Sequence, residues 1–281
     1  MSLRPPVLAI VLVLAALMLA SPAVAQEKQH PCGVGFVDNR PLLHRAAFKP
    51  TDVTQSAVAL TFVGHATFEI TSPAGITVVT DYNNNYRADR VPDIATMNIN
   101  RGNHSSYDVP ASVRYVLHGW DEGKGIPHYD VHVGDVRVFN VPTNVVDLGK
   151  DATNDSSIFV IQMSGLCIAH LGHMRHVIDD ERVRHMGRID VLLMPVDGQV
   201  TESRDELLFN LGKIKPRIVI PMHFFSLGMA ESFVASVADL YPVKKLGTNT
   251  LRLTRAELPA ETEVWLMRPT VGYYSGGGGQ F

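Results

Sequence analysis

The tightest constraint on the fold is a series of short apolar runs, broken by turn residues, that fills the chain from Val58 to Leu171. Val58-Ala59-Leu60-Thr61-Phe62-Val63 reads as a strand with Gly64-His65 at its end. Thr67 to Thr71 and Ile76 to Thr80 read as two more, joined by Ser72-Pro73-Ala74-Gly75, and Asp81 closes the second. Proline and glycine between β-branched runs make a strand-turn-strand signal. Ile94 to Met97, Ser112 to Leu117, Val131 to Val141, Ile158 to Gln162 and Leu166 to Leu171 continue the series. Polar loops separate some of them, at Tyr82 to Arg90 and Asn98 to Tyr107.

Helical patterns enter after Leu171. Asp179 to Met186, Ser203 to Leu211 and Ala230 to Tyr241 read as helices, the second capped by Ser203 and the third with one apolar face. Val191 to Pro195 and Arg217 to Pro221 read as buried strands between them, and Leu251 to Arg255 and Glu263 to Met267 as the last two. Strands in runs, with helices between the later ones, predict a layered α/β domain with mixed sheets. At 281 residues the chain can bury a sizeable core.

The ends differ from this body. Arg4, the apolar run Val7 to Ala20 and the small-x-small pattern Ala23-Val24-Ala25 predict a signal peptide over residues 1–25, cleaved before Gln26. The apolar run is short for a bilayer span, which takes about 20 residues. The expectation is a periplasmic or secreted protein with no stable membrane anchor after cleavage. Residues 26–57 form a polar extension that packs loosely or wraps the domain, residues 58–268 the domain, and residues 269–281 a flexible tail ending in Gly276 to Gly279. Export permits a disulfide. Cys167 lies in a strand-like run and is expected as a lone buried thiol, with a Cys32–Cys167 bridge as the alternative.

A net charge of -3 gives no bulk attraction to nucleic acid or an anionic membrane, which leaves a small-molecule substrate or ligand as the expected partner. The oligomeric state is not legible. No nucleophile elbow, phosphate-cradling loop or dinucleotide fingerprint is present. The 12 histidines are the one compositional hint of chemistry, because imidazole is the commonest metal ligand.

Five segments, in order, carry a resemblance. They are Thr61 to Ile70 with its Gly64-His65 turn, Val78-Val79-Thr80-Asp81, His170-Leu171-Gly172, Asp190 to Val196, and Lys215 to His223. Together they resemble the ascorbate-lactonase-like branch of the metallo-β-lactamase superfamily, over about residues 58 to 268. The resemblance implies an αββα sandwich of two mixed β-sheets flanked by helices, with a metal site at one sheet edge.

The departures from that family are specific. Members carry a His-x-His-x-Asp-His loop after the strand written here Ala95-Thr96-Met97-Asn98. In this chain the first two histidine positions hold Ile99 and Arg101, the aspartate position holds Asn103, and only the last histidine remains, as His104. The ligand after Val141-Pro142-Thr143 is replaced by Val145, and the bridging aspartate after His-Leu-Gly by His173, while the final histidine stands as His223. The resemblance therefore implies that one of two metal positions is gone. The other would be rebuilt from His104, His173 and His223 around one divalent ion, zinc first, with iron or copper as alternatives. Three histidines and an open position form the catalytic zinc pattern, which brings the pKa of bound water to about 7.

Other residues take lesser expected roles. Asp81 and Asn103 are candidates to orient ligand histidines. His65 is a candidate contact to the ligand loop or substrate, with a structural hydrogen bond as its plainer role. Arg101 is a candidate for an anionic substrate group or for the vacated metal position. Asp197-Gly198 could border the pocket or close a turn. His176 is a weak extra candidate, and His118, His128, His132 and His185 are expected at the surface. The expected function is an exported, hydrolase-like metal protein acting on an ester, lactone, amide or phosphoester. The alternatives are a noncatalytic binding module for a small anion or a protein, or a metal-binding protein on the same scaffold.

Overall fold

The computed structural model describes residues 32, 33, 35, 57–145 and 155–271. The expected signal peptide and most of the expected extension and tail lie outside the described residues; of the tail, Thr270 and Val271 donate from their backbone to Phe62 and Val63.

The first runs form one sheet: β1 (Val58–Gly64), β2 (Thr67–Thr71), β3 (Thr77–Val79), β4 (Ile94–Met97) and β5 (Tyr115–His118). A late strand, β13 (Thr250–Leu253), joins its edge, giving the order β13-β1-β2-β3-β4-β5. Pairing is antiparallel up to β3 and parallel from β3 to β5. The second sheet holds β6 (Asp130–Val133), β7 (Val136–Thr143), β8 (Ser156–Met163), β9 (Leu166–His170), β10 (Val191–Pro195), β11 (Ile218–Met222), β12 (Val243–Lys245) and β14 (Glu263–Leu266). Its order is β12-β14-β11-β10-β9-β8-β7-β6, parallel from β12 to β9 and antiparallel beyond. The helices are α1 (Asp180–Met186), α2 (Arg204–Ile214) and α3 (Leu227–Val237).

The two mixed sheets bury their facing sides in one core. Phe62 stacks on Phe68 with ring centroids 4.6 Å apart, and Phe224 meets Phe62 edge-on at 5.7 Å. Strands β9, β10 and β11 are buried at every position, which explains their unbroken apolar sequence. The helices lie after β9 and supply the apolar cover of the eight-stranded sheet through Met186, Leu207, Phe233 and Val237. On the other sheet, Val79, Ala95 and Met97 pack against loop residues Tyr82, Val113 and Trp120.

Several local expectations shift. The Val131 to Val141 run is a hairpin, broken at Gly134 (φ +56), because a tight reversal needs a residue that tolerates positive φ. α2 runs on to Ile214, and its Ser203 cap is part of a reciprocal capping box with Glu206. α3 starts earlier than its apolar face suggests, because Ser226 caps it, and it ends at Val237.

Cys167 is not a lone thiol. It is bonded to Cys32, and the Cα atoms lie 5.6 Å apart. The neighbouring backbone explains the pairing. Gly33 N donates to Met186 O (2.8 Å), and a side chain at Gly33 would strike the His185 carbonyl. The described part of the extension is thus docked against the C-terminal end of α1. A bridge across 135 residues restrains the unfolded chain strongly, by a few kcal/mol. Replacing both cysteines by serine is expected to cost about 2–5 kcal/mol, read as a lower denaturation midpoint together with a larger m-value, because the unfolded chain without the cross-link is less compact.

Candidate metal centre

The site forms where strand ends meet. β1 ends at Gly64 before His65, β3 runs on to Asp81, and the loop after β4 carries His104. From the other sheet, β9 ends before Gly172-His173, β10 before Asp197 and β11 before His223. Apart from β1, these strands belong to the parallel parts of the sheets, so their carboxyl ends open on one edge, where α/β sheets place ligands.

The backbone is bent to bring these side chains together. His65 (φ +52), Asp81 (φ +42) and His223 (φ +56) all adopt the left-handed conformation. Each such residue costs about 1–3 kcal/mol and persists only where its surroundings hold it. The holding contacts are present. His223 N donates to His65 O at 2.6 Å, which ties the ends of β1 and β11 across the two sheets. His170 Nε2 donates to the Ala66 carbonyl at 2.7 Å. A Cβ at Gly64 would lie 2.6 Å from the Tyr86 ring, and that ring stacks on His65.

Two imidazoles are locked by carboxylates. His104 Nδ1 lies 2.6 Å from Asp81 Oδ2, and His223 Nδ1 lies 2.9 Å from Asp197 Oδ2. Each carboxylate is anchored in turn. Asp81 Oδ1 accepts from Asn98 N at 3.0 Å. The Asn98 amide, oriented to satisfy both its ends, donates to Asp81 and accepts from Gly172 N. Asp197 accepts from the amides of Gln199, Val200 and Thr201 and from the Thr201 hydroxyl.

This anchoring fixes the tautomers. With Nδ1 of both rings donating to a carboxylate, both Nε2 atoms carry lone pairs. They face one another at 3.2 Å. Neither can donate to the other, so the contact is favourable only with a cation shared between them. A proton is a poor choice. Burial, then the charges of His223, His170 and Arg101, hold His104 well below its ordinary pKa. A metal fits better, since two nitrogens each 2.0–2.1 Å from a tetrahedral zinc lie about 3.3 Å apart.

Two more imidazoles complete the cluster. His65 offers a ring nitrogen within 4.8 Å of those of His104 and His223, and its ring centroid is 4.0 Å from that of His223. His173 stands edge-on to His104 and His223, with centroids at 5.1 and 4.9 Å, and its buried Nδ1 has no hydrogen-bond partner. Burial and then the two neighbouring histidines push His173 down to about 3. Burial pushes Asp81 up to about 6, and a cation on His104 would draw it back down. Burial alone would raise Asp197, but hydrogen bonds from His223, Thr201 and Val200 outweigh it and hold the group well below the carboxylate range.

The structure brings His104, His173 and His223 together and adds His65 and Asp197. Asp197 was visible only as an Asp-Gly pair after a strand, and its turn-closing and pocket-bordering roles turn out to coexist. Asn103 does not orient a ligand. It is exposed and accepts from Asn85, because the loop turns inward only at His104. Ile99 is buried, and Val145 is half-buried with its backbone bonded to Asp155 and Arg175. Arg101 is exposed on the ligand loop, near enough for its charge to act on His104 and His173. His176 is held by Thr143 and the Asn144 carbonyl. His118 is not a plain surface residue: it pairs with Glu122 and stacks on Trp120.

Several proteins similar to this chain are named metal-dependent hydrolases. The chain is 26% identical over 187 residues to a UPF0173 metal-dependent hydrolase of Thermococcus onnurineus, covering 64% of this chain and 71% of that one. It is 31% identical over 110 residues to a UPF0173 protein of Pyrococcus abyssi, covering 37% of this chain and 47% of the relative. The chain thus spans about half the length of the curated relatives it matches first. A crystal structure from Thermotoga maritima, assigned to the Zn-dependent hydrolases of the metallo-β-lactamase superfamily, superposes with a TM-score of 0.56 at 25% identity, over 75% of this chain and 98% of that one. These likenesses define the superfamily and no branch within it. A family model described as the beta-lactamase superfamily domain matches residues 59–223, more than half of the chain and every strand end that builds the histidine cluster, and the chain belongs to that superfamily.

Proposed function

We propose that this protein is a hydrolase that works with a single divalent metal, held by His104 and His223 as its fixed pair. One observation carries the reading: two bare Nε2 atoms, each aimed by a carboxylate, face one another at 3.2 Å. His65 supplies the third nitrogen, supported by its place within 4.8 Å of both. A second reading has His173 as the third ligand, supported by its buried, unpartnered Nδ1. Either choice leaves an open position. When bound there, the metal supplies a hydroxide at neutral pH and polarises a carbonyl or phosphoryl oxygen.

The chain's own residues do the rest. Asp81 and Asp197 keep the ligand tautomers fixed. The half-buried ring of Tyr86 and the exposed Phe225, both near His65, flank the substrate side. The exposed Arg101 faces incoming anions from the ligand loop. The substrate is a small ester, lactone, amide or phosphoester, and the metal is zinc first, with iron or copper as alternatives.

Comparing His65→Ala with His173→Ala separates the two ligand sets. The first is expected to lose stoichiometric zinc and the second to retain it, read by elemental analysis after dialysis. Zinc lost only from His173→Ala would install His173 as the ligand in place of His65.

Export belongs to the same proposal. A buried disulfide supports folding in an oxidising compartment, in keeping with a cleaved leader. The mature chain is then periplasmic or secreted and begins at Gln26. N-terminal sequencing of the exported fraction tests this, and an intact Met1 in that fraction would refute it.

A further inference from the structure

Besides the end of β11, which bears His223, two loops carry the centre from the eight-stranded sheet. One, after β9, bears His173. The other, after β10, bears Asp197, which aims His223. Among the described residues, no hydrogen bond links His173 to Asp197. Asn210, on α2 and fully buried, reaches both. Its Nδ2 donates to His176 O at 3.1 Å and its Oδ1 accepts from Ile178 N at 2.8 Å, which grips the first loop. The same Nδ2 donates to Glu202 Oε2 at 2.9 Å, at the end of the second.

Both residues are out of place for ordinary packing. Asparagine is a poor helix-interior residue, because its side chain competes for backbone groups. A glutamate with no exposed surface is rarer still, and Glu202 Oε1 has no hydrogen-bond partner. Burial, against the hydrogen bond from Asn210, pushes Glu202 up to about 8, so the acid is neutral at physiological pH and its contact with Asn210 is one between uncharged groups. Glu202 follows Thr201, whose amide and hydroxyl both bond Asp197. A displacement of Glu202 therefore passes through one residue to the carboxylate that orients His223.

We propose that Asn210 and Glu202 are a positioning couple, which clamps the His173 loop to the Asp197 loop and so sets the spacing of the metal-binding imidazoles. The proposal rests on the metal reading above. It assigns a function to two buried polar side chains that touch neither metal nor substrate.

The test uses Co2+ as the probe, because its absorption bands report ligand geometry directly. Wild type, Glu202→Met and Glu202→Gln are titrated with Co2+, with circular dichroism checking the fold. Methionine fills the space and removes the acceptor, whereas glutamine keeps an acceptor for Asn210. Glu202→Met is expected to bind Co2+ about 10–100-fold more weakly, the usual cost of losing an outer partner of a metal site, and with shifted bands. Glu202→Gln is expected to restore both. If Glu202→Met does not fold, Glu202→Asp, too short to reach Asn210, gives the same reading. Wild-type affinity and spectrum in folded Glu202→Met or Glu202→Asp would overturn the couple and leave the metal reading intact. A wild-type protein that takes up no Co2+ would overturn the metal reading and the couple with it.

Discussion

His223→Ala is expected to abolish metal-dependent stabilisation of the fold. In the wild type, zinc at 100 times its Kd stabilises the native state by about 2.7 kcal/mol, because it binds the folded chain and not the unfolded one. His223 gives one of the two Nε2 atoms that face each other at 3.2 Å, and among the described residues no other side chain stands opposite His104 in a carboxylate-fixed tautomer. Its loss should exceed the roughly 10–100-fold drop in affinity that follows loss of an outer partner. The measurement is the melting temperature with and without zinc. The wild type should shift upward and His223→Ala should not, while both share circular dichroism spectra in the metal-free state. The same variant relieves the lone-pair contact but takes the His223 donor from the buried Asp197, so its metal-free form should melt below the metal-free wild type while keeping the fold. An equal zinc shift in both proteins would remove His223 from the site.

Gly172→Ala should be strongly damaging, and its damage should reach the metal centre. Gly172 has φ +65, and a Cβ there would fall 1.1 Å from the terminal amide group of Asn98. Left-handed strain alone costs alanine about 1–2 kcal/mol. The larger loss is the displacement of Asn98, whose amide and backbone together hold Asp81. That carboxylate would be left buried with fewer donors, a penalty of about 1–3 kcal/mol. We expect a total of at least about 3 kcal/mol in stability and weakened zinc binding together, through the chain Gly172, Asn98, Asp81, His104. Denaturant unfolding and zinc titration of the variant check both halves. Lowered stability with unchanged zinc affinity would show that Asn98 does not act through Asp81.

Much of the fold was legible because its strands are bounded by residues with one structural use. Gly64, the Pro73-Gly75 turn and Gly172 mark strand ends that the structure keeps. The Val131 to Val141 run hid its reversal because Gly134-Asp135 sits inside an otherwise apolar stretch. The disulfide escaped because spacing says nothing about where an extension docks. Backbone contacts of Cys32, Gly33 and Gly35 with the end of α1 and Gly187 place Cys32 beside Cys167.

The centre was legible by a different route. His104, His173 and His223 were found from the order of motifs, and the structure gathers all three. His65 was placed outside the ligand set because a histidine after a tight glycine reads as a turn residue. Its left-handed φ and its carbonyl bond to His223 N turn the ring toward the cluster, and neither is visible along the chain. Asp197 was undervalued for a related reason. An aspartate that accepts three successive backbone amides looks like a turn, and its second oxygen, given to His223, appears only in three dimensions.

The central claim is one metal in a cluster of histidines. The direct measurement is metal stoichiometry by elemental analysis of purified wild-type protein, equilibrated separately with zinc, iron and copper and then dialysed. The account predicts one ion per chain, with zinc retained, and near zero in His104→Ala and His223→Ala. No retained ion in the wild type, or two ions per chain, would contradict it.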